Sequence, residues 1–197
     1  VDDGSTDGTA DWLDGEIAAR REQAPLLCLR LPSSVGPGRA RNAGVLRARA
    51  NTIVFLDSDC AVLPGWLPAM LAPLDDPAVG VVGGAEVLDP AEPLAGRVAH
   101  FVLTSVLTTG GIRGRSGARL AAYRPRTFSM AVRRELFERL QGFAGLRHGE
   151  DIDLSQRIAA LRRECRCAEA ARVHHRRRAS LAAFAQQAFA MGRARST

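Results

Sequence analysis

The sequence contains no lysine, so all 27 of its basic residues are arginine. Aromatic residues make up only 5% of the chain, which leaves few platforms on which the bases of single-stranded nucleic acid could stack. Four cysteines do not form a disulfide-rich framework, and a reducing compartment is the expected setting. No uninterrupted apolar run approaches the ~20 residues that a helix needs to span a bilayer. These shortages disfavour a disulfide scaffold, a membrane-spanning segment and a stacking surface for nucleic acid.

The rest of the composition is typical of one folded domain. Hydrophobic residues make up 46% and charged residues 24% of the 197 positions, a balance found in globular rather than disordered chains. The formal net charge of +6 favours anionic partners such as phosphates, nucleic acid or an anionic membrane surface. The chain begins at Val1 with no methionine, and we expect it to be part of a longer protein.

Strand-like and helix-like segments alternate along the chain. Hydrophobic patterning predicts strands at residues 26–31, 53–56, 79–87, 128–132 and 165–173. It predicts helices at residues 10–21, 39–50, 64–74, 94–107, 134–140, 150–163 and 180–191. Such alternation indicates βαβ units, an α/β class and a largely parallel central sheet.

Two carboxylates follow the apolar run at residues 53–56. Asp57 and Asp59 are separated by one residue, and residues i and i+2 of an extended chain face the same side. They stand at the carboxyl end of a predicted strand, where open α/β sheets bind ligands. Hard oxygen ligands suit Mg²⁺ or Mn²⁺, which often complete their shell with water and substrate phosphates. The alternative is that Asp57 caps a turn while Asp59 is only solvated.

Two further motifs lie in the first part of the chain. Asp2 and Asp3 precede a glycine turn and could accept hydrogen bonds from a base edge or from ribose hydroxyls. The segment at residues 35–44 carries glycines just before the N-terminus of a predicted helix, where backbone N–H groups and arginine side chains could approach phosphate. A solvated turn and an ordinary helix start are the structural alternatives.

Two motifs in the second part of the chain could also carry chemistry. Glu150 and Asp151 begin a predicted helix, where a carboxylate could act as a general base or merely complement the helix dipole. His174 and His175 precede three arginines. Imidazole could bind Mn²⁺, and the arginines could bind a diphosphate, although a solvated basic run is the plain alternative.

The order of these motifs resembles the family 2 glycosyltransferases. The chain reads Asp-Asp-Gly-Ser at residues 2–5, Arg-Asn-Ala-Gly at 41–44, Asp-Ser-Asp at 57–59, Gly-Glu-Asp at 149–151 and then a late histidine. The resemblance covers essentially the whole chain. It implies the GT-A fold of nucleotide-diphospho-sugar transferases, a Rossmann-like α/β sandwich with a mostly parallel central sheet. Residues 1–197 would form one catalytic domain, with a nucleotide-binding half at 1–88 and an acceptor-binding half at 89–197.

The resemblance also implies roles for individual residues. Asp151 would be the catalytic base, Glu150 would organise the acceptor side, and Asp57, Asp59 and His175 would hold Mn²⁺ or Mg²⁺. The residues implied in binding the nucleotide sugar are Asp2, Asp3, Ser5, Arg41, Asn42, Asp57, Ser58, Arg176 and Arg178. The implied reaction moves a sugar, with inversion, from a UDP- or GDP-sugar donor to a hydroxyl of a saccharide or lipid-linked acceptor.

The sequence departs from the family pattern in two places. The strand and helix that normally precede the Asp-Asp-Gly-Ser motif are absent, and Ser129 stands where relatives usually carry asparagine. A missing strand would leave backbone groups on its neighbours without partners. We therefore expect a truncated catalytic domain that is poorly active by itself.

The sequence is also compatible with two rival functions. A metal-dependent nucleotidyltransferase of similar fold also uses paired carboxylates, but the Gly-Glu-Asp helix counts against it. A basic nucleic-acid-binding module is disfavoured because acidic motifs line the predicted cleft, and we expect no nucleic acid as partner.

The expected location is the cytoplasm or the cytoplasmic face of the cell membrane. The helix predicted at residues 180–191, with Arg193 and Arg195 after it, could lie on a membrane or equally pack on the domain.

Overall fold

A computed structural model of the protein describes residues 1–22, 26–104, 123–146 and 148–176, together with positions 185 and 189. In these ranges the helices are α1 (Thr9–Arg20), α2 (Pro37–Arg47), α3 (Trp66–Leu71), α4 (Leu94–Thr104), α5 (Arg134–Arg139) and α6 (Glu150–Ala160). The strands are β1 (Thr52–Leu56), β2 (Cys60–Val62), β3 (Val79–Val87), β4 (Ser129–Arg133) and β5 (Glu164–His175). Most of the helix predicted at 180–191 lies outside the described residues.

The strands form one sheet in the order β1-β4-β3-β5-β2. Among the five described strands, β3 and β5 are the one parallel pair, whereas β1 with β4, β4 with β3, and β2 with β5 pair antiparallel. The α/β class is confirmed, but the expectation of a mostly parallel sheet is wrong for the described strands. Alternation along the chain does not determine which strands become neighbours, and β4 inserts between β1 and β3 with the opposite direction.

The sheet is buried on both faces. Successive side chains of a strand point to opposite sides, and each side packs into its own core cluster. Val81 of β3 and Met130 of β4 belong to one core cluster, whereas the next residues, Val82 and Ala131, belong to another. The first cluster packs against α2, α5 and α6, and its members are Val45, Ile53, Phe55, Val81, Met130, Val132, Leu136, Phe137, Phe143, Leu154 and Ile158. The second packs against α3, and its members are Met70, Leu74, Val79, Val82, Ala131, Ala168 and Ala171.

Several element boundaries differ from the sequence-based expectation. The strand expected at 26–31 is reduced to one parallel bridge between Asp2 and Arg30. The helix expected at 64–74 ends at Leu71 and continues as a 3₁₀ turn at Ala72–Asp75, because Pro73 has no N–H for an α-helical bond. The helix expected to reach residue 163 ends at Ala160, and Arg162 takes a left-handed conformation with φ of 56°. None of the described helices is both long and apolar enough to cross a membrane.

The fold gathers four chain segments at one end of the sheet. β1 ends at Leu56, and a tight turn leads directly into β2 at Cys60. β2 pairs antiparallel with the end of β5, so that Cys60 lies opposite His175. α6 begins at Glu150 after Gly149, whose φ of 82° favours glycine.

Candidate active site

The turn between β1 and β2 carries the Asp-Ser-Asp motif. The backbone N–H of Cys60 donates to the carbonyl of Asp57 at 3.1 Å and closes this turn. The backbone N–H of Arg176 donates to the carbonyl of Asp59 at 2.9 Å, which ties the turn to the end of β5. Ser58 is exposed at the tip of the turn. The motif is thus held between three strands of the sheet.

Asp59 and His175 approach each other closely at this turn. The Nε2 atom of His175 lies 3.2 Å from Oδ1 of Asp59, and one ligand atom each from Asp59, Cys60 and His175 all lie within 4.8 Å of one another. Two ligands at right angles on a hexacoordinate divalent cation are about 3 Å apart. A carboxylate oxygen and an imidazole nitrogen at this spacing therefore fit Mn²⁺ or a similar divalent cation. Asp57 is not part of this group, and its metal role stays a prediction.

The carboxylates around His175 determine its charge. Burial alone would lower the pKa of His175, but its contacts with the carboxylates of Asp59 and Glu86 outweigh burial and raise its pKa to about 9. The same contact with His175 lowers the pKa of Asp59. Burial, with the negative charges of Asp59 and Asp57, raises the pKa of the Cys60 thiol. The site therefore concentrates negative charge in the absence of a cation.

Arg41 connects the Asp-Ser-Asp turn to the start of α6. Its Nη2 lies 2.7 Å from Oδ1 of Asp57, and its Nη1 lies 2.9 Å from Oε1 of Glu150. The ring of Phe143 lies 6.0 Å from the guanidinium carbon. Because the guanidinium is planar and always charged, it can hold two carboxylates in fixed positions. Arg41 was expected at the donor phosphates, and the structure shows it bridging two acidic residues.

Asp151 is fixed by contacts with the segment before β4. The Nε atom of Arg126 lies 3.0 Å from Oδ2 of Asp151, and the backbone N–H of Thr127 donates to the same oxygen at 3.4 Å. The backbone N–H of Ile152 donates to Oδ1 at 2.8 Å. The Asp151 side chain is only 8% exposed. A small exposed fraction of a well-oriented carboxylate is compatible with contact to one substrate group.

The carboxylates near the start of the chain organise their own loops. Asp3 accepts hydrogen bonds of 2.8 to 3.0 Å from the side chain or backbone of residues 34–36. Burial acts in the opposite direction, but these hydrogen bonds lower the pKa of Asp3. Asp2 is buried and accepts from the backbone N–H of Ser5 at 3.0 Å. The contacts of Asp3 order the loop into α2, and the contact of Asp2 orders the turn at Ser5. The nucleotide-binding roles of Asp2, Asp3 and Ser5 stay predictions.

Two other expected donor-binding residues have structural contacts. The side-chain amide of Asn42 donates to the carbonyl of Phe143 at 2.8 Å and accepts from its N–H at 2.9 Å. Arg176 has an exposed side chain, and its described hydrogen bond is made by its backbone. Arg178 lies outside the described residues. The structure thus gathers Asp59 with His175, and Arg41 with Asp57 and Glu150. In the described part of the chain, neither group forms a hydrogen bond or ion pair with the side chain of Asp2 or Asp3.

Sequence reasoning missed three residues that shape the site. Arg126 pairs with Asp151, and Phe128 stacks on the ring of His175 with centroids 5.4 Å apart. Glu86 is buried on β3 and contacts two histidines. The last residue did carry a signal, since it is the one charged position in the apolar and glycine-rich strand Val79–Val87.

A sheet covered on both faces, with carboxylates and a histidine gathered beyond the end of β1, is the architecture of transferases with the GT-A fold. The family can be stated more narrowly. The chain belongs to glycosyl transferase family 2, whose family model matches residues 1–141. A pre-mycofactocin glycosyltransferase from Mycobacterium tuberculosis is 29% identical over 156 residues, which make up 78% of this chain and 33% of that protein. The chain thus spans about one third of that curated relative.

Solved structures confirm the fold class. A mannosyltransferase from Pyrobaculum calidifontis, in complex with GDP-Man and Mn²⁺, matches with a TM-score of 0.68 at 22% identity, covering 88% of this chain and 46% of that one. GalNAc-T7, with UDP, GalNAc and Mn²⁺, matches with a TM-score of 0.64 at 16% identity, covering 90% of this chain and 36% of that one. At these identities the likeness establishes the fold.

The Arg41 bridge can be tested through stability. Replacing Arg41 by glutamine leaves the buried Glu150 carboxylate without this cation, and we expect the free energy of unfolding to fall by about 1–3 kcal/mol. The double variant Arg41→Gln/Glu150→Gln should recover part of the loss, because the unpaired charge is then removed. Urea unfolding followed by circular dichroism measures both.

The control is Arg20→Gln, since Arg20 pairs with Glu16 on an exposed helix surface. Such pairs contribute about 0–1 kcal/mol. If Arg41→Gln is no more destabilising than Arg20→Gln, the bridge does not hold these elements together.

The raised pKa of His175 links the stability of the metal-free protein to pH. The imidazolium is stabilised by the fold, so its contribution is complete below about pH 6.5 and is lost as the pH rises through about 9. We expect the melting temperature in EDTA to fall over this range, and to fall less in His175→Gln. The exposed His148 provides the control variant His148→Gln, which should keep the wild-type slope. Equal slopes for wild type and His175→Gln would contradict the assignment.

Proposed function

We propose that the protein transfers a sugar from a nucleotide-diphospho-sugar to an acceptor hydroxyl, with Mn²⁺ or Mg²⁺ bound at Asp59 and His175. The observation that carries this proposal is the 3.2 Å approach of these two side chains beside the end of β1. Membership of glycosyl transferase family 2 supports it. The complexes of the structural neighbours with GDP-Man or UDP and with Mn²⁺ support the donor class and the cation.

The charges around the turn suit a diphosphate leaving group. A divalent cation at Asp59 and His175 would neutralise the negative charge that develops on the departing nucleoside diphosphate. Arg176 follows His175 directly, and its exposed guanidinium is available to donate to phosphate oxygens. We assign Asp57 and Ser58 to the same donor side, because they occupy the same turn as Asp59. Arg178, which lies outside the described residues, is assigned to the donor phosphates from the sequence alone.

We assign Asp151 the role of general base. A carboxylate oxygen of Asp151 would accept the proton of the acceptor hydroxyl. At the same time the hydroxyl oxygen would bond to the anomeric carbon and the sugar–phosphate bond would break. One such displacement from the opposite face inverts the anomeric configuration. Arg126 would keep the carboxylate oriented through the 3.0 Å contact at Oδ2. Glu150 would act through Arg41, which holds the acceptor side beside the donor turn.

The partners and the setting that we propose are those expected from the sequence. We propose UDP or GDP as the nucleotide of the donor, and a saccharide or lipid-linked molecule as the acceptor. The cytoplasm, or the cytoplasmic face of the membrane, is the proposed location. A nucleotidyltransferase remains the second candidate on the paired carboxylates alone, but family membership favours glycosyl transfer.

Donor and cation binding can be tested by thermal unfolding. We expect UDP or GDP to raise the melting temperature only when Mn²⁺ is present, because a ligand stabilises the folded state by RT ln(1 + [L]/Kd). Asp59→Ala should abolish this shift, since it removes a cation ligand. Asp11→Ala is the matched control, because Asp11 is an exposed aspartate on α1 to which no role in donor or cation binding is assigned. Protection by a polynucleotide, with none by either nucleoside diphosphate, would reject glycosyl transfer in favour of nucleic-acid binding.

The general base can be tested with an isosteric substitution. Asp151→Asn should lower turnover about 10²- to 10⁴-fold, because the amide cannot accept the hydroxyl proton, while the Mn²⁺-dependent shift with UDP or GDP stays unchanged. Nucleoside diphosphate release from UDP- and GDP-sugars, with saccharide and lipid-linked acceptors, measures turnover. Asp153→Asn on the same helix is the control, because Asp153 pairs with Arg157. Wild-type turnover by Asp151→Asn would eliminate Asp151 as the base.

A further inference from the structure

Glu86 is a buried carboxylate that the proposed reaction does not use. It lies on β3, and its side chain is only 1% exposed. Its Oε1 lies 3.2 Å from Nδ1 of His100 on α4, and its Oε2 lies 3.8 Å from Nδ1 of His175 on β5. A buried carboxylate is costly unless cationic or hydrogen-bonding groups surround it. The two histidines therefore offset part of the cost of burying the Glu86 carboxylate.

Both nitrogen atoms of the His175 imidazole face a carboxylate. Nε2 lies 3.2 Å from Oδ1 of Asp59, on the side where a cation would bind. Nδ1 is buried, makes no hydrogen bond to the described residues and lies 3.8 Å from Oε2 of Glu86. The ring of Phe128 stacks on one face, with an interplanar angle of 29°. In the parallel ladder of β3 and β5, Glu86 is paired with Val173, two residues before His175. The backbone register thus places the carboxylate behind the histidine, on the side away from Asp59.

We propose that Glu86 is a positioning residue for the cation ligand His175. The present 3.8 Å separation is longer than a hydrogen bond, and a small shift of the side chain would let Oε2 of Glu86 accept the Nδ1–H of His175. That bond would fix the tautomer in which Nε2 carries a free lone pair directed toward the cation. Histidines that bind metals almost always donate their other N–H to a carboxylate, carbonyl or water, and this contact sets ring orientation and basicity. His100 holds the other oxygen of the carboxylate and so orients Glu86 itself.

The inference rests on the proposed cation site, so the experiment first asks whether the wild-type protein binds Mn²⁺. Electron paramagnetic resonance of free Mn²⁺ during a titration gives the dissociation constant without any need for a substrate. We expect Glu86→Gln, which keeps the shape of the side chain, to weaken Mn²⁺ binding about 10- to 100-fold. Glu164→Gln is the matched control, because it removes the same charge from an exposed position on β5.

A double-mutant cycle separates positioning from a general electrostatic effect. If Glu86 acts through His175, Glu86→Gln should not weaken Mn²⁺ binding further in a His175→Ala background. An equal loss in that background, or an equal loss with Glu164→Gln, would show that Glu86 contributes only negative charge. Unchanged binding by Glu86→Gln would also overturn the proposal. Failure of the wild-type protein to bind Mn²⁺ would instead reject the cation site and the proposed function with it.

A measurement on the wild-type protein covers the case in which Glu86→Gln does not fold. With diamagnetic Mg²⁺ bound, ¹⁵N chemical shifts distinguish the two tautomers of His175. We expect the proton on Nδ1. A proton on Nε2 would overturn the proposal, because that nitrogen could not then bind the cation.

Discussion

The approach of Asp59 to His175 depends on a ladder of three residues between β2 and β5. These strands are far apart in sequence, and their register places Cys60 opposite His175 and Val62 opposite Val173. The N–H of Arg176 extends the contact by bonding to the carbonyl of Asp59. Because side chains alternate along a strand, a slip of one residue would turn His175 to the other face of the sheet. The geometry of the proposed cation site is therefore a property of strand register.

Arginine arranges the acidic residues in the rest of the site. Arg41 joins Asp57 at the end of β1 to Glu150 at the start of α6, and Arg126 fixes Asp151. The chain has no lysine with which these roles could be shared. A planar guanidinium donates from several fixed N–H groups, so it constrains direction as well as charge. The acidic groups are consequently held in place before any substrate binds.

Local hydrophobic patterning predicted where the helices and strands lie better than it predicted which strands pair with each other. The strand at Val79–Val87 and the start of α6 at Glu150 follow from apolar runs and an acidic first turn. The three-residue β2 is too short for an alternation of apolar and polar residues to be recognised in the sequence. The order of strands depends on contacts between distant segments. The motif order pointed to Asp59 and His175, which the structure places together. Sequence could not reveal the pairing of Glu86 with His175, because it depends on the register between β3 and β5.

Cys60 lies among these ligands, and its setting has a redox consequence. The thiolate, not the thiol, reacts with peroxides and exchanges with disulfides. Burial and the carboxylates of Asp59 and Asp57 raise the pKa of Cys60, so almost none of it is thiolate near neutral pH. The negative charge that would attract a cation thus also shields the neighbouring sulfur from oxidation while no cation is bound.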